Sequence, residues 1–512
     1  MSPITSPGAP NSSAPSPGDP PGSTEHLKTN ALGATAIAFL VVAAAAPLTV
    51  MAGVSPVAIL VGGIGAPVGY LAAGAVLTIF AVGFMAMTRH TGGAGAFYSY
   101  ISLGLGRRLG MGAGILAVVS YNALQIGVYG LLGQQVSDAV SQLAGIDLPW
   151  WLFVLVAIVV VWLVGRRGID VGARILGVML LAETAILALL VVAVIFQGGD
   201  SGLSGASFTP SAVFAPGMFG VLAFAFAAFM GFESTALYRP EARNPERTIP
   251  RATYGAVIFM ALFYCLVVWA VIQAFGNQGV IQAASSDPAS LFFVAIERYV
   301  GPWASNAMYI LIITSVFASQ IAFHNAINRY TFTLARDGLL PRPLAHSHPR
   351  YGSPSVAGAV QSVLAVIIVG VFAIMGADPY NDLLLKVNTP GVVGIIGLQA
   401  ITSAAVVAYF VRRRHTVRAR VAVVFAVAAT VLLTLAVTLL VSHISLLTNA
   451  PTPTNVILVG IVPLTLIIGV VAAEVLRRRR PEVYAGIGGM HPEDGHVPAA
   501  EPTDEQLEAS AR

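Results

Sequence analysis

Charge is scarce in this chain. Of 512 residues, 27 are Lys or Arg and 23 are Asp or Glu, so charged side chains make up 10%, against about 25% in a soluble domain. Lys28 and Lys386 are the only lysines, and no Gly-x-x-x-x-Gly-Lys-Ser/Thr loop occurs, which excludes an ATP-driven pump using its own P-loop. The single cysteine, Cys265, excludes a disulfide framework and a cysteine-built metal site. There is no His-Glu-x-x-His, and the nine histidines lack metal-ligand spacing. Gly104-Leu105-Gly106 followed by Gly110 misses the dinucleotide fingerprint and reads as a bend in a surface segment. A nucleophile elbow and a voltage-sensing arginine ladder are also missing. The sequence therefore offers no enzyme chemistry and calls for no cofactor or metal.

What is abundant is apolar surface. Hydrophobic residues reach 56% and the mean hydropathy is +0.80. A soluble fold could not hide this much of it from water. A bilayer core of about 30 Å needs roughly 20 apolar residues per helix. Twelve runs qualify: 31–60, 67–88, 111–138, 149–165, 171–197, 215–238, 252–275, 302–333, 355–376, 390–411, 420–443 and 454–476. None alternates as a barrel strand would. The expected fold class is an all-α integral membrane protein with twelve transmembrane helices.

Lys and Arg set the orientation. One set of connections, with the two ends, holds 25 of the 27 cations. They include Arg107 and Arg108, Arg166 and Arg167, Arg239 and Arg243, Arg329 and Arg336, and the arginines at 412–414 and 477–480. The opposite connections hold only Arg298 and Lys386. Both termini are thus expected in the cytoplasm, in a multi-pass protein of the cell membrane. The basic loops are explained by topology, so nucleic acid is not an expected partner. Residues 1–30, rich in Pro, Ser and Gly, and the polar, acidic residues 481–512 read as disordered cytoplasmic tails. No cleavable signal peptide is visible, because the first apolar stretch is too long for a signal core. Residues 89–110 read as an interfacial segment, and 276–301 as the longest outer connection.

Polar residues within the runs narrow the function. Glu183 in span 5 and Glu233 in span 6 each cost about 2.5–3.5 kcal/mol at a bilayer centre. Each is either a functional carboxylate or a structural hydrogen-bonding group. Tyr121, Asn122 and Gln125 in span 3, and Gln320, His324, Asn325 and Asn328 in span 8, are site candidates or interhelical glue. Pro47 lies inside span 1, where it makes a kink or a break whose freed backbone groups line a cavity. Gly231 permits a similar break in span 6.

Three motifs carry a resemblance. Gly231-Phe232-Glu233-Ser234 is followed by Arg243-Asn244-Pro245-Glu246-Arg247-Thr248-Ile249-Pro250. Gly92-Gly93-Ala94-Gly95-Ala96-Phe97-Tyr98 precedes span 3, and Asn328-Arg329 with Ala335-Arg336-Asp337-Gly338-Leu339-Leu340-Pro341 closes span 8. Over residues 31–480 the chain resembles amino acid permeases of the amino acid–polyamine–organocation superfamily. The resemblance implies a leucine-transporter-like transporter domain, with spans 1–5 and 6–10 as inverted repeats and spans 11 and 12 peripheral. It implies a substrate site between interrupted spans 1 and 6, where freed N–H groups hold a carboxylate and freed carbonyls an ammonium. Carried over by position, the site comprises Ala45, Ala46, Pro47, Leu48 and Thr49 of span 1, and Phe226, Ala227, Met230 and Gly231 of span 6. Tyr121, Gln125 and Phe323 complete it. Glu183 falls where some proton-coupled relatives place a lysine, and becomes the expected ion-coupling residue.

The expected function is secondary active transport of amino acids or related amines by alternating access, as H⁺ symport. The alternatives are a polyamine/amino acid antiporter and a membrane sensor that binds an amino acid without moving it. The tails offer no large signalling domain for the latter.

Overall fold

The computed structural model describes residues 32–88, 96–167, 169–412 and 417–488. The tail at 1–30, most of the tail at 481–512, and the glycines at 92, 93 and 95 lie outside the described residues. Backbone groups without water must bond within their own segment, which favours helix throughout such runs. Among the described residues there is no strand, only two isolated bridges. Eleven helical segments among the described residues are long and apolar enough to cross a membrane. The fourth apolar run forms a helix of 16 residues, Trp150–Gly165, about 24 Å long and shorter than those eleven. The span numbers of the twelve runs are kept below.

Several helices outrun their apolar cores. Span 3 is one helix, Arg107–Ala144, and span 8 is another, Pro302–Arg336. Ahead of span 3 a short helix, Ala96–Leu105, lies on the arginine-rich side. Span 10 begins early as a π-helical segment, Pro379–Val387, that runs into the α-helix Asn388–Val411.

Spans 1 and 6 are interrupted. Span 1 consists of Ala34–Ala45 and Pro47–Gly53, and it kinks at Val54 into Ser55–Gly62. The break falls at Ala46, in the left-handed region with φ 47° and ψ 72°. Pro47 then takes the first helical position, where its missing N–H costs nothing and its fixed φ suits the helix. In span 6 the helix Met218–Ala228 ends, Gly231 turns at φ 104°, and a 3₁₀ segment, Phe232–Glu241, continues. A side chain would be strained at that φ, and a Cβ on Gly231 would stand 2.8 Å from Ala44 Cβ. The glycine thus lets the two interruptions touch.

On the arginine-rich side, the ends of spans 1 and 6 are sewn together. Leu32 N donates to the Glu241 carbonyl at 3.0 Å, and Arg243 N donates to the Leu32 carbonyl at 2.8 Å. Span 8 joins this pair through Arg329, whose Nε and Nη2 donate to Glu241 at 2.8 and 3.0 Å. The guanidinium also covers the Tyr238 ring at 5.0 Å. Both charged side chains are almost fully buried, at 3% and 2% exposed.

Residues 481–488 correct the expectation of a disordered tail from 481 onward. After span 12 the chain forms the short helix Pro481–Ala485. Gly488 N donates to Tyr98 OH at 2.6 Å, and Tyr98 OH donates to Asp337 at 2.7 Å. Ile487 is fully buried among Tyr98, Met111, Leu334 and Ala473. Ile487, with Tyr484 packed beside it, anchors the segment to this cluster.

Candidate functional site

The two interruptions face a cavity of about 90 Å³. A water needs roughly 10–15 Å³ on this measure, so there is room for several waters or one small solute. Ala44, Ala45, Ala46 and Thr49 line it from span 1, and Ala227, Ala228 and Met230 from span 6. Leu124 and Val128 of span 3, with Ser319 and Phe323 of span 8, form another wall. Span 10 supplies Tyr380, Leu384, Asn388 and Thr389. No Asp, Glu, Lys, Arg or His is among the lining residues.

Of the site residues expected from sequence, Ala45, Ala46, Thr49, Ala227, Met230 and Phe323 are brought together on this cavity. Pro47, Leu48, Tyr121, Gln125, Phe226 and Gly231 are not on its wall. Each has another place. Pro47 and Leu48 begin the second helical half of span 1. Phe226 is buried in the core. Gln125 joins a buried amide chain: its Nε2 donates to the Gln320 carbonyl at 3.2 Å, and Gln361 Nε2 donates to its Oε1. Gln361 Oε1 in turn meets His324 Nδ1 at 2.6 Å, so His324 is a bonded bundle residue. Tyr121 OH donates to Glu233 at 2.5 Å, and Gly231 N approaches the same oxygen at 3.3 Å. Gln399 of span 10 faces that carboxylate as well. Glu233 therefore pins the turn of span 6 to span 3.

Glu183 lies against the other interruption. It is fully buried, and one oxygen accepts from Leu48 N at 3.2 Å, a donor that the start of a helix leaves free. The other oxygen has no partner among the described residues. Ser315 of span 8 lies beside the carboxylate. Thr49 N and Thr49 Oγ1 reach Ser315 Oγ at 3.3 and 3.0 Å. The freed donors at Leu48 and Thr49 are thus engaged within the protein, by a carboxylate and a hydroxyl. On the carbonyl side, Ser319 Oγ donates to the Ala44 carbonyl at 2.8 Å.

A larger hollow of about 510 Å³ continues toward the arginine-poor side. It shares Leu131 and Tyr380 with the inner cavity. Tyr380 OH donates weakly to the Gly53 carbonyl at 3.4 Å and stands between the two spaces. Asp138, Asp287 and Asp378 line the hollow, with no Lys or Arg.

Sequence reasoning missed the contribution of span 10. The run was read from 390, yet the early start of the helix brings Tyr380, Leu384, Leu385, Asn388 and Thr389 to the inner cavity and Asp378, Tyr380 and Asn381 to the larger hollow. Asn388-Thr389 at the head of an apolar run was the available signal.

This geometry can be set beside known proteins. An uncharacterised transporter of Mycobacterium tuberculosis (strain ATCC 25618 / H37Rv) is 33% identical over 153 residues, covering 29% of this chain and 34% of that one. The lysine-specific permease LysP of Lactococcus lactis is 24% identical over 272 residues, covering 49% of this chain and 52% of that one. The matches thus span a third to a half of these relatives' length. A solved manganese transporter of Eremococcus coleocola shares the fold at a TM-score of 0.56 and 14% identity, covering 88% of this chain and 98% of that one. The family model described as amino acid permease matches residues 37–485, and the chain accordingly belongs to the amino acid permease family.

Proposed function

We propose that this chain is a secondary transporter of the cell membrane that moves a neutral amino acid by alternating access, coupled to H⁺ through Glu183. The observation that carries the reading is the pair of interrupted helices meeting at a small cavity with no charged side chain on its wall. An apolar wall suits an uncharged side chain, and the interrupted main chain at 44–46 and 227–230, whose bonded carbonyls each keep a second lone pair, suits the ammonium of a zwitterion. The twelve-span count, the 5+5 repeat and cytoplasmic termini belong to the same proposal. On that orientation the larger hollow opens outward.

Glu183 is suited to coupling by its position. Its carboxylate meets the first free N–H of the outer half of span 1 and, through Ser315, the cavity residue Thr49. Protonation removes a buried charge at that helix end and so changes what holds the half-helix in place. A ligand or proton shifts the conformational balance only by its differential affinity for the two states. The test is uptake in proteoliposomes driven by a pH gradient. Glu183→Gln should abolish gradient-driven accumulation and keep counterflow; accumulation equal to the parent's would end the coupling role.

A second reading has its own support. Three aspartates and no cation line the outer hollow, which would draw in an amine or a cationic amino acid. Radiolabelled counterflow against a panel of neutral amino acids, basic amino acids and diamines separates the two. Preferential exchange of the neutral members supports the first reading. Preferential exchange of the basic ones replaces it with the second.

A further inference from the structure

Five side chains on the inner cavity carry a polar atom: Thr49, Ser319, Tyr380, Asn388 and Thr389. Four already have partners within the protein. Thr49 is bonded to Ser315, Ser319 to the Ala44 carbonyl and Tyr380 to the Gly53 carbonyl. Thr389 Oγ1 donates to the Leu385 carbonyl at 2.6 Å. Asn388 differs: its Oδ1 is buried and has no partner among the described residues. A carboxamide oxygen buried at an apolar wall without a bond, on a side chain that is otherwise half-buried, is costly, by about 1–3 kcal/mol, and such an atom calls for an explanation in ligand binding or chemistry.

Its placement is built into two helices. Asn388 stands where the π-helical start of span 10 passes into α-helix, and such wider turns are frequent at functional sites. Span 3 holds it there through Gly127. A Cβ on Gly127 would lie 2.6 Å from Asn388 Cβ and 3.0 Å from its backbone N. Glycine at 127 thus lets the two helices approach until the carboxamide reaches the cavity. The main-chain grip belongs to spans 1 and 6, and span 10 supplies a separate part of the wall.

We infer that Asn388 is a specificity-determining residue, whose carboxamide reads a hydrogen-bond donor on the substrate at the span 10 side of the cavity. The class selected is an amino acid or amine with an O–H or N–H at that end of the molecule. Its apolar isostere leaves the carboxamide unpaired, and sites built around a buried polar group reject such isosteres more strongly than apolar pockets reject a methylene. This inference rests on the transport reading given above.

The experiment compares shape-matched pairs by counterflow in proteoliposomes: threonine against valine, and lysine against norleucine. The parent protein should prefer the donor-bearing member of a pair that it carries. Asn388→Leu should cut that preference by about tenfold, the worth of one hydrogen bond, while transport of the apolar member persists. Asn388→Asp keeps an acceptor of the same size and should retain the preference. Gly127→Ala, away from the cavity wall, should weaken it by displacing Asn388. Equal loss for both members of a pair, or an unchanged preference in Asn388→Leu at unchanged melting temperature, overturns the inference. If the parent carries none of the four, the transport reading fails on this panel and ligand-induced melting shifts decide separately. A shift with the donor-bearing member that Asn388→Leu removes upholds the role of Asn388; no such shift in the parent overturns it too.

Discussion

The buried pair of Arg329 and Glu241 yields a prediction with a magnitude. It fastens the joined ends of spans 1 and 6 to span 8 through two hydrogen bonds of 2.8 and 3.0 Å. Glu241→Gln removes the charge and leaves the guanidinium buried. Breaking such a pair from one side costs about 3–5 kcal/mol. Here the Tyr238 ring and the Asn325 carbonyl, which accepts from Nη1 at 3.0 Å, stay with Arg329. The lower end applies, about 3 kcal/mol, or roughly two decades in an equilibrium constant. If inward opening carries both groups into water, the closed state bears that loss and the open state does not. In a Cys265→Ser background with Ala45→Cys as reporter, labelling by a membrane-impermeant thiol reagent from the arginine-rich face should accelerate at least tenfold, while labelling from the opposite face slows. The double change Glu241→Leu with Arg329→Met should restore closure, since an apolar pair of similar volume often replaces a buried ion pair without loss. Unchanged labelling would refute the reasoning. A lower melting temperature with unchanged labelling would refute it equally, since the pair would then hold the fold rather than the closure.

Other expectations follow from the same contacts. Gly231→Ala places a Cβ 2.8 Å from Ala44 at φ 104°; strain of about 1–3 kcal/mol should lower the melting temperature and slow counterflow, and parent-like values for both would show that the turn relaxes freely. Tyr121→Phe deletes the 2.5 Å bond to Glu233. It should cost about 1.5–3 kcal/mol by chemical denaturation, and Glu233→Gln should cost little more when added to it, because the two share one interaction. Gln361→Leu cuts the chain between His324 and Gln125 and leaves buried amide and imidazole groups unpaired; stability should fall by about 1–3 kcal/mol with substrate preference unchanged, as measured by melting and by competition.

Much of the architecture was legible because lipid-facing helices must be long and apolar, and because arginines mark one face. The interruption in span 1 was legible through Pro47, although the left-handed residue proved to be Ala46. A proline fits the first position of a helix better than the turn before it, so the break moves one residue upstream. Gly231 marked the second turn for the reason that makes glycine necessary there. Pairings across the chain were harder to read. Gln125 carries the same polar signal whether it meets a ligand or another glutamine, and its partners Gln320 and Gln361 lie 195 and 236 residues away. The early start of span 10 was hidden by Lys386, which read as a charge in a connection, and Asp382 four residues before it is a second charge ahead of the apolar run. Their mutual bond at 2.6 Å lets the turn stay helical while Leu383 and Leu384 are buried. Glu183 stood out by its cost in a membrane, and its contact with Leu48 required the fold.

The segment from 481 to 488 has a practical bearing on how the protein is handled. It works as a plug: Ile487 fills an apolar recess and Gly488 closes over the Tyr98 hydroxyl. An affinity handle joined downstream of Gly488 leaves that plug seated. A deletion at Arg480 pulls it out, and opens a greasy hole on the face that must stay wet, so such a shortened protein should be recovered in lower yield from mild detergent and clump on storage.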